Sequence, residues 1–370
     1  MTMRVPFMSL VPGSDAPAIR AAIDRVVTSG WFILGPELDA FEAEFAAASG
    51  ATHAVGVGTG TDAIALMLRA QGIGPGDEVI TSPLSAAFSA LAIMMAGATP
   101  VFADLDPERL TIDPSAVEAA ITTRTAAILP VHLYGQPADM TRLSAIAARH
   151  SLAMVEDACQ AHLATCGGQP VGTFGVGGAF SFYPTKNLGA LGDGGAVITN
   201  DAAFADRLRR LRNGGQTERY RHVEFGVNTR LDEMQAAILR ARLTQLPEAT
   251  ARRRALAAAY RTHLSGTSVR VPAECDPGHV YHLFPVLTSR RADLQAHLTA
   301  HGIGTLVHYP IALPDQPVFA PFVKTAFPVA REACDQLCSL PLHPDLSYDD
   351  LHHVAAAVHA WRPGGQRTNG

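Results

Sequence analysis

From about residue 50 onward, short apolar runs alternate with stretches of helical spacing. The runs Ala54–Gly58, Glu78–Thr81, Pro100–Ala103, Ala126–Val131 and Ala153–Glu156 read as buried strands. Between them, Asp62–Gln71, Ser85–Ala96, Pro114–Ile121 and Asp139–His150 read as helices. Two further strands, Gly178–Phe182 and Ala196–Thr199, flank a turn. This alternation predicts an α/β fold with a mostly parallel central sheet flanked by helices, because parallel neighbours need a crossover that a helix supplies.

The pattern changes after Leu231. Through about Leu264 the chain is helical and rich in Arg and Ala, with Pro247 as an interruption, which suits a connector. From about Val269 a strand (Val280–Leu287), a helix (Ala292–His301), a Pro-rich loop (Tyr309–Pro321) and terminal helices compose a smaller α+β lobe. At 370 residues two lobes are expected: a large domain, 1–245, and a small C-terminal domain, 246–370. The tail Arg362-Pro363-Gly364-Gly365 reads as frayed.

Composition narrows the function classes. Hydrophobic residues make up 48% and mean hydropathy is +0.12, enough for a large core. A net charge of −5 without a basic stripe argues against nucleic acid. Met1–Pro12 lacks a basic region followed by an apolar core, and the longest apolar run, Ala86–Ala98, is too short to span a bilayer. The five cysteines are scattered, which points to a reducing cytoplasm. Cys334 and Cys338 are one helical turn apart but lack a ligand set. None of the 15 histidines forms a His-Glu-x-x-His, so no metal is expected.

One lysine stands out. In Ser181-Phe182-Tyr183-Pro184-Thr185-Lys186-Asn187-Leu188-Gly189, followed by Asp193-Gly194-Gly195, it sits in a turn between two apolar segments. Alone, a turn lysine is usually solvated. Burial would instead lower its pKa and ready the amine to attack a carbonyl as a Schiff-base former.

Three other segments bear on that choice. Gly56-Val57-Gly58-Thr59-Gly60-Thr61-Asp62 runs from strand through glycines into a helix start near Thr61. That is the shape of a phosphate cradle, with Thr61 as a plain N-cap the bland alternative. In Val155-Glu156-Asp157-Ala158-Cys159-Gln160-Ala161-His162, Asp157 lies at the carboxyl end of a strand, where open α/β sheets bind ligands. It suits a partner for a pyridinium nitrogen, or equally a helix cap, and Gln160 lies within reach of a ring oxygen. Gly226-Val227-Asn228-Thr229-Arg230 precedes a helix, and Asn228 is either part of its cap or a phosphate contact.

An amine, a ring-nitrogen partner and two phosphate-competent helix starts are what pyridoxal phosphate chemistry requires. With these motifs at these spacings the chain resembles the DegT/StrS-type sugar aminotransferases, a pyridoxal phosphate family with the aspartate aminotransferase-like fold (fold type I). The resemblance runs from Ser29-Gly30-Trp31-Phe32-Ile33-Leu34-Gly35-Pro36 to Ser339-Leu340-Pro341-Leu342-His343-Pro344.

The resemblance implies roles for particular residues. Lys186 would carry pyridoxal 5'-phosphate as a Schiff base and shuttle the proton. Asp157 would pair with the ring nitrogen and Gln160 with the ring hydroxyl. Thr61, the backbone of Gly60 and Asp62, and Ser181 would hold the phosphate. Asn228 would enter the other subunit's site, which implies a homodimer with shared sites. Members with histidine at the lysine position dehydrate instead; this chain has Lys186. The family usually stacks an aromatic on the ring. Ungapped counting puts Ala86 there; Phe88, two residues on, would substitute if the backbone is shifted, and otherwise stacking on that face is lost. Tyr183, Tyr220, His222, Arg230, His308 and Tyr309 match segments lining the substrate cleft, with a structural role for His308 and Tyr309 equally open. The implied substrates are a nucleotide-linked keto sugar and glutamate or glutamine as donor. Alternatives are the same chemistry on a keto-cyclitol or other cyclic ketone, or a regulatory protein on the same scaffold.

Overall fold

The computed structural model describes residues 3–362. Its centre is a seven-stranded sheet, ordered β1-β9-β8-β5-β4-β2-β3. The strands are β1 His53–Val57, β2 Glu78–Thr81, β3 Thr99–Phe102, β4 Thr125–Leu129, β5 Ala153–Asp157, β8 Gly177–Ser181 and β9 Gly195–Thr199. Only β9 runs against its neighbours. Two short hairpins, β6–β7 (Thr165–Cys166 with Gln169–Pro170) and β10–β11 (Gln216–Glu218 with Arg221–His222), leave the sheet. The chain therefore has the mostly parallel α/β sheet of fold type I.

Helices pack on it in separate apolar clusters. They are α1 Ala16–Ser29, α2 Pro36–Ala48, α3 Gly60–Ala70, α4 Phe88–Met95, α5 Pro114–Ala120, α6 Met140–His150, α7 Ala202–Leu211 and α8 Glu233–Leu243. Short acidic side chains set several starts: Asp113, Asp139, Asp201 and Asp232 each accept first-turn N–H groups. Pro247 opens the next helix, α9 Leu246–His263, where a missing first-turn N–H costs nothing.

A second core forms around α9, the antiparallel pair β12 (Phe284–Leu287) and β13 (Leu337–Leu340), and α10 Arg291–Ala300 and α12 Tyr348–Ala360. Val5 joins this core, bridged to Ile303. The helix α11 Pro328–Gln336 ends before Cys338, so Cys334 is helical while Cys338 is on β13. The expected tail beyond Arg362 lies outside the described residues. Among the described residues, no helix is long and apolar enough to cross a membrane.

Some expected bounds move for identifiable reasons. The strand expected at Val280 begins at Phe284, because Val280 and His282 donate their N–H groups to Gly135 and Tyr134 and Tyr281 has φ 48°. The helix expected from Ser85 starts at Phe88, leaving Ser85 and Ala86 in the loop after β2. Beneath the end of β5, fully buried His132 and Glu156 form a fixed pair. Ala138 N–H donates to His132 Nδ1 (3.1 Å), so Nε2 carries the proton and donates to Glu156 Oε2 (3.1 Å). Gly172 and Phe174 N–H groups complete the carboxylate's partners (2.6 and 2.8 Å). This locks the backbone that presents Asp157.

Candidate active site

The carboxyl ends of β5 and β8 open onto a cavity of about 550 Å³. Lys186, Asp157, Gln160, Gly60, Thr61, Ser181, Phe88, Tyr183, His308 and Tyr309 all line it. The lysine turn is built by Phe182, whose N–H donates to Gly194 O and whose carbonyl accepts from Ala190 N–H. Partly buried Lys186 Nζ has neither a carboxylate nor a hydrogen-bond partner among the described residues. Burial lowers its pKa from the usual lysine value, partly opposed by Cys159 and Asp157. The side chain is thus not a solvated turn lysine.

Asp157 is buried at the strand end and caps no helix. Its Oδ2 accepts from Ser89 Oγ (2.6 Å) and its Oδ1 from Cys159 N–H (3.1 Å). Gln160 is held on both sides: Oε1 accepts Tyr134 N–H (2.7 Å) and Nε2 donates to Tyr309 Oη (3.1 Å). Burial pushes the Tyr309 hydroxyl up to about 12, so it stays neutral. His308 donates to or accepts from Ser339 Oγ through Nδ1 (3.0 Å), and burial and Lys186 lower its pKa to about 4.

The start of α3, the expected phosphate cradle, differs from the expectation in its cap. Thr59, not Thr61, is the N-cap: its hydroxyl accepts Asp62 N–H (3.0 Å). Asp62 is consequently spent, its carboxylate taking hydroxyls from Thr59 and Thr229 (both 2.8 Å), and it does not line the cavity. The N–H groups of Gly60 and Thr61 keep no partner among the described residues. Glycine is required at 60, since a Cβ there would sit 2.7 Å from Cys159 Sγ and 2.8 Å from Ser181 Cβ.

The remaining expected residues lie elsewhere. Asn228 is exposed and bridges Asn213 rather than capping α8, whose cap is Asp232. Arg230 donates to Asn213 Oδ1 (3.0 Å), His222 Nδ1 to Gly214 O (2.7 Å), and Tyr220 is 79% exposed. None of these four lines the cavity of its own chain. Ala86 and Phe88 both do, with Phe88 60% exposed. His162 is buried against Phe180 and Phe182, with no partner on either ring nitrogen. Sequence reasoning missed Ser89, His282 and the N-terminal pair Phe7 and Met8, which also line the cavity. No local pattern marks them, because distant segments bring them in.

Comparison with known proteins identifies the family. Residues 14–359 match the DegT/DnrJ/EryC1/StrS aminotransferase family, and the chain belongs to it. It is 48% identical, over 97% of both chains, to dTDP-3-amino-3,4,6-trideoxy-alpha-D-glucose transaminase of Streptomyces venezuelae. The solved structure of S. venezuelae DesV in complex with a ketimine intermediate superposes with a TM-score of 0.94 at 48% identity, covering 97% of this chain and 99% of that one. NtdA from Bacillus subtilis, solved with bound cofactor PMP, gives 0.90 at 31% identity, covering 97% and 85%. The chain is an enzyme of the aminotransferase class.

Proposed function

We propose that this aminotransferase uses pyridoxal 5'-phosphate to move an amino group from glutamate or glutamine onto the keto carbon of a nucleoside diphosphate-linked sugar. The carrying observation is that Lys186, Asp157 and the unpartnered N–H groups of Gly60 and Thr61 line one cavity. The donor set fits the cofactor: an amine of lowered pKa for its aldehyde, a buried carboxylate for its ring nitrogen, and a helix N-terminus with Thr61 and Ser181 for its phosphate. When bound, that group supplies an electron sink beside the donor carbon.

The chain's own residues do the rest. Asp157, oriented by Ser89, keeps a proton on the ring nitrogen. Gln160 has a second amide N–H for the ring oxygen, and Phe88 offers an aromatic face where Ala86 cannot. Lys186 Nζ would hold the cofactor's aldehyde and would take up and return the proton as general base and acid. The relative's printed substrate, a dTDP-linked deoxyamino sugar, supports a nucleotide-sugar acceptor.

A homodimer belongs to the same proposal. Trp31, Phe32, Tyr220, Val223 and Phe225 are each more than half exposed, an apolar surface suited to a second copy. Asn228 of the partner subunit would then complete the phosphate site. The five free cysteines fit a reducing cytoplasm. The test is to load the enzyme with cofactor, supply glutamate or glutamine, and offer nucleotide-linked keto sugars. Mass spectrometry is expected to find an aminated sugar; none from any such acceptor, with amination of a keto-cyclitol instead, overturns the sugar reading.

A further inference from the structure

His282 lines the cavity but has no part in the reading so far. It is 4% exposed, and its backbone is held on both sides. Its N–H donates to Tyr134 O (2.8 Å), and its carbonyl accepts from Arg253 Nη1 (3.4 Å). The ring is fixed as well. Asn187 Nδ2 donates to Val280 O (3.1 Å), which turns the amide oxygen toward His282 Nδ1 (3.3 Å). An amide oxygen only accepts, so Nδ1 carries the ring proton and Nε2 keeps a lone pair. That nitrogen has no partner among the described residues. Burial, and then the charge of Lys186, holds the ring well below the usual histidine pKa, so it stays neutral.

Asn187 directly follows Lys186, so the amide that sets the His282 tautomer also anchors the lysine turn. When Lys186 takes up a proton it becomes an ammonium with three N–H groups, and each one shielded from water without an acceptor is costly. The groups around it differ in what they offer. Asp157 is committed to Ser89 and to Cys159 N–H, and burial keeps Cys159 a thiol. His162 packs against Phe180 and Phe182 and does not line the cavity. His308 Nδ1 meets the Ser339 hydroxyl, which donates or accepts, so its tautomer is not set. Hydroxyls of Ser181, Tyr183, Thr185 and Tyr309 line the cavity too, but an imidazole lone pair is far more basic than a hydroxyl oxygen. Of the three histidines, only His282 presents a lone pair of fixed tautomer to the cavity.

We propose that His282 is a positioning residue whose Nε2 accepts a hydrogen bond from protonated Lys186 and so strengthens that lysine as a base. The proton stays on Nζ throughout; His282 supplies an acceptor and not a second base. This rests on the reading of Lys186 as the cofactor's lysine. A hydrogen bond to a charged group is worth roughly tenfold to a hundredfold in rate.

Two substitutions separate the acceptor from the anchor. His282→Asn keeps an N–H near the Nδ1 position, within reach of Asn187, and removes the lone pair that faces the cavity. His282→Gln puts a carbonyl oxygen near the Nε2 position and gives up the anchor. Two rates are read by absorbance near neutral pH: capture of pyridoxal 5'-phosphate by the apoenzyme, and the single-turnover half-reaction of the loaded enzyme with glutamate. In His282→Asn the two rates are expected to move in opposite directions. With its ammonium less stabilised, Lys186 is more often the free amine and captures the aldehyde roughly tenfold faster. As a weaker base it slows the half-reaction by roughly tenfold to a hundredfold, with the half-saturating glutamate concentration unchanged. His282→Gln is expected to keep both rates close to those of the unaltered enzyme. Slowing of both rates together in His282→Asn marks a merely structural role and overturns the proposal, as does an unchanged half-reaction there. If His282→Asn does not fold, loss of the half-reaction in a loaded His282→Gln enzyme overturns it, and retention supports it. No capture by the unaltered apoenzyme overturns the reading of Lys186 and this proposal with it.

Discussion

Asp157 Oδ2 accepts a 2.6 Å hydrogen bond from Ser89 Oγ, 68 positions earlier in the chain. The carboxylate at the end of β5 is therefore aimed by a residue on α4, and the docking of that helix becomes part of the site. A hydrogen bond to a charged group contributes about 1.5–3 kcal/mol. Ser89→Ala is predicted to keep the fold and to raise the cofactor dissociation constant roughly tenfold to a hundredfold. Titrating the apoenzyme with cofactor by absorbance checks this, and an unchanged constant would mean that Asp157 needs no such support. Asp157→Asn should go further and cut kcat by about 10²-fold or more, since the ring nitrogen loses its anionic partner.

Gly60 sits at the start of α3, where the proposal places the cofactor's phosphate. Its Cα lies against Cys159 and Ser181 so closely that even a methyl group has no room. Gly60→Ala is predicted to weaken binding of the cofactor and of inorganic phosphate alike, by roughly tenfold. Wild-type affinity for both in that variant would show that the start of α3 is not where the phosphate sits.

Stability should depend on pH through the buried histidines. Burial holds His162 neutral, with a pKa of about 3, and His308 is lowered to about 4. In the unfolded chain both return to about 6.5. Below that value the unfolded state binds protons that the folded state refuses, so stability falls as pH drops from 6.5 toward 4. Each such group contributes a slope of about 1.4 kcal/mol per pH unit. Urea midpoints of the apoenzyme at pH 7 and pH 5 measure the effect, and His162→Phe should flatten it. An equal slope in that variant would assign the pH dependence to other groups.

The buried pair Arg212–Glu42 ties α2 to β1, with Glu42 Oε1 also accepting Gly56 N–H (2.8 Å) and Arg212 donating to Gly56 O (2.7 Å). Removing one partner leaves an uncompensated charge inside the protein. Glu42→Ala is predicted to cost about 3–5 kcal/mol, read from chemical denaturation of the apoenzyme. A loss under 1 kcal/mol would indicate that water reaches the remaining arginine.

Much of this architecture was legible because local chemistry repeats it. The strands at Glu78–Thr81 and Ala153–Asp157 are short apolar runs, and Asp113 and Asp139 announce the helices they cap. Lys186, Asp157, Gln160 and Ser181 were readable as a set and do converge. What was illegible depends on tertiary pairing. Thr59 rather than Thr61 caps α3 because Asp62 N–H turns back to it, and two nearby threonines look alike in sequence. Val280–Leu283 reads as strand but is drawn to the Tyr134–Gly135 turn. Phe7 and Met8 gain a cavity only because Gly302 and Gly304, some 300 residues away, pair with the N-terminal segment. Asn228, Tyr220, His222 and Arg230 sit outside their own chain's cavity, with Arg230 and His222 engaged instead by Asn213 and Gly214.

The most direct measurement is borohydride reduction of the cofactor-loaded enzyme followed by peptide mass mapping. The chain has only two lysines, Lys186 and Lys324. Lys324 is held by Glu78 (3.2 Å) and does not line the cavity. The account predicts a pyridoxyl group on the Lys186 peptide and an unmodified Lys324. Modification of Lys324 alone, or of neither lysine, would contradict it.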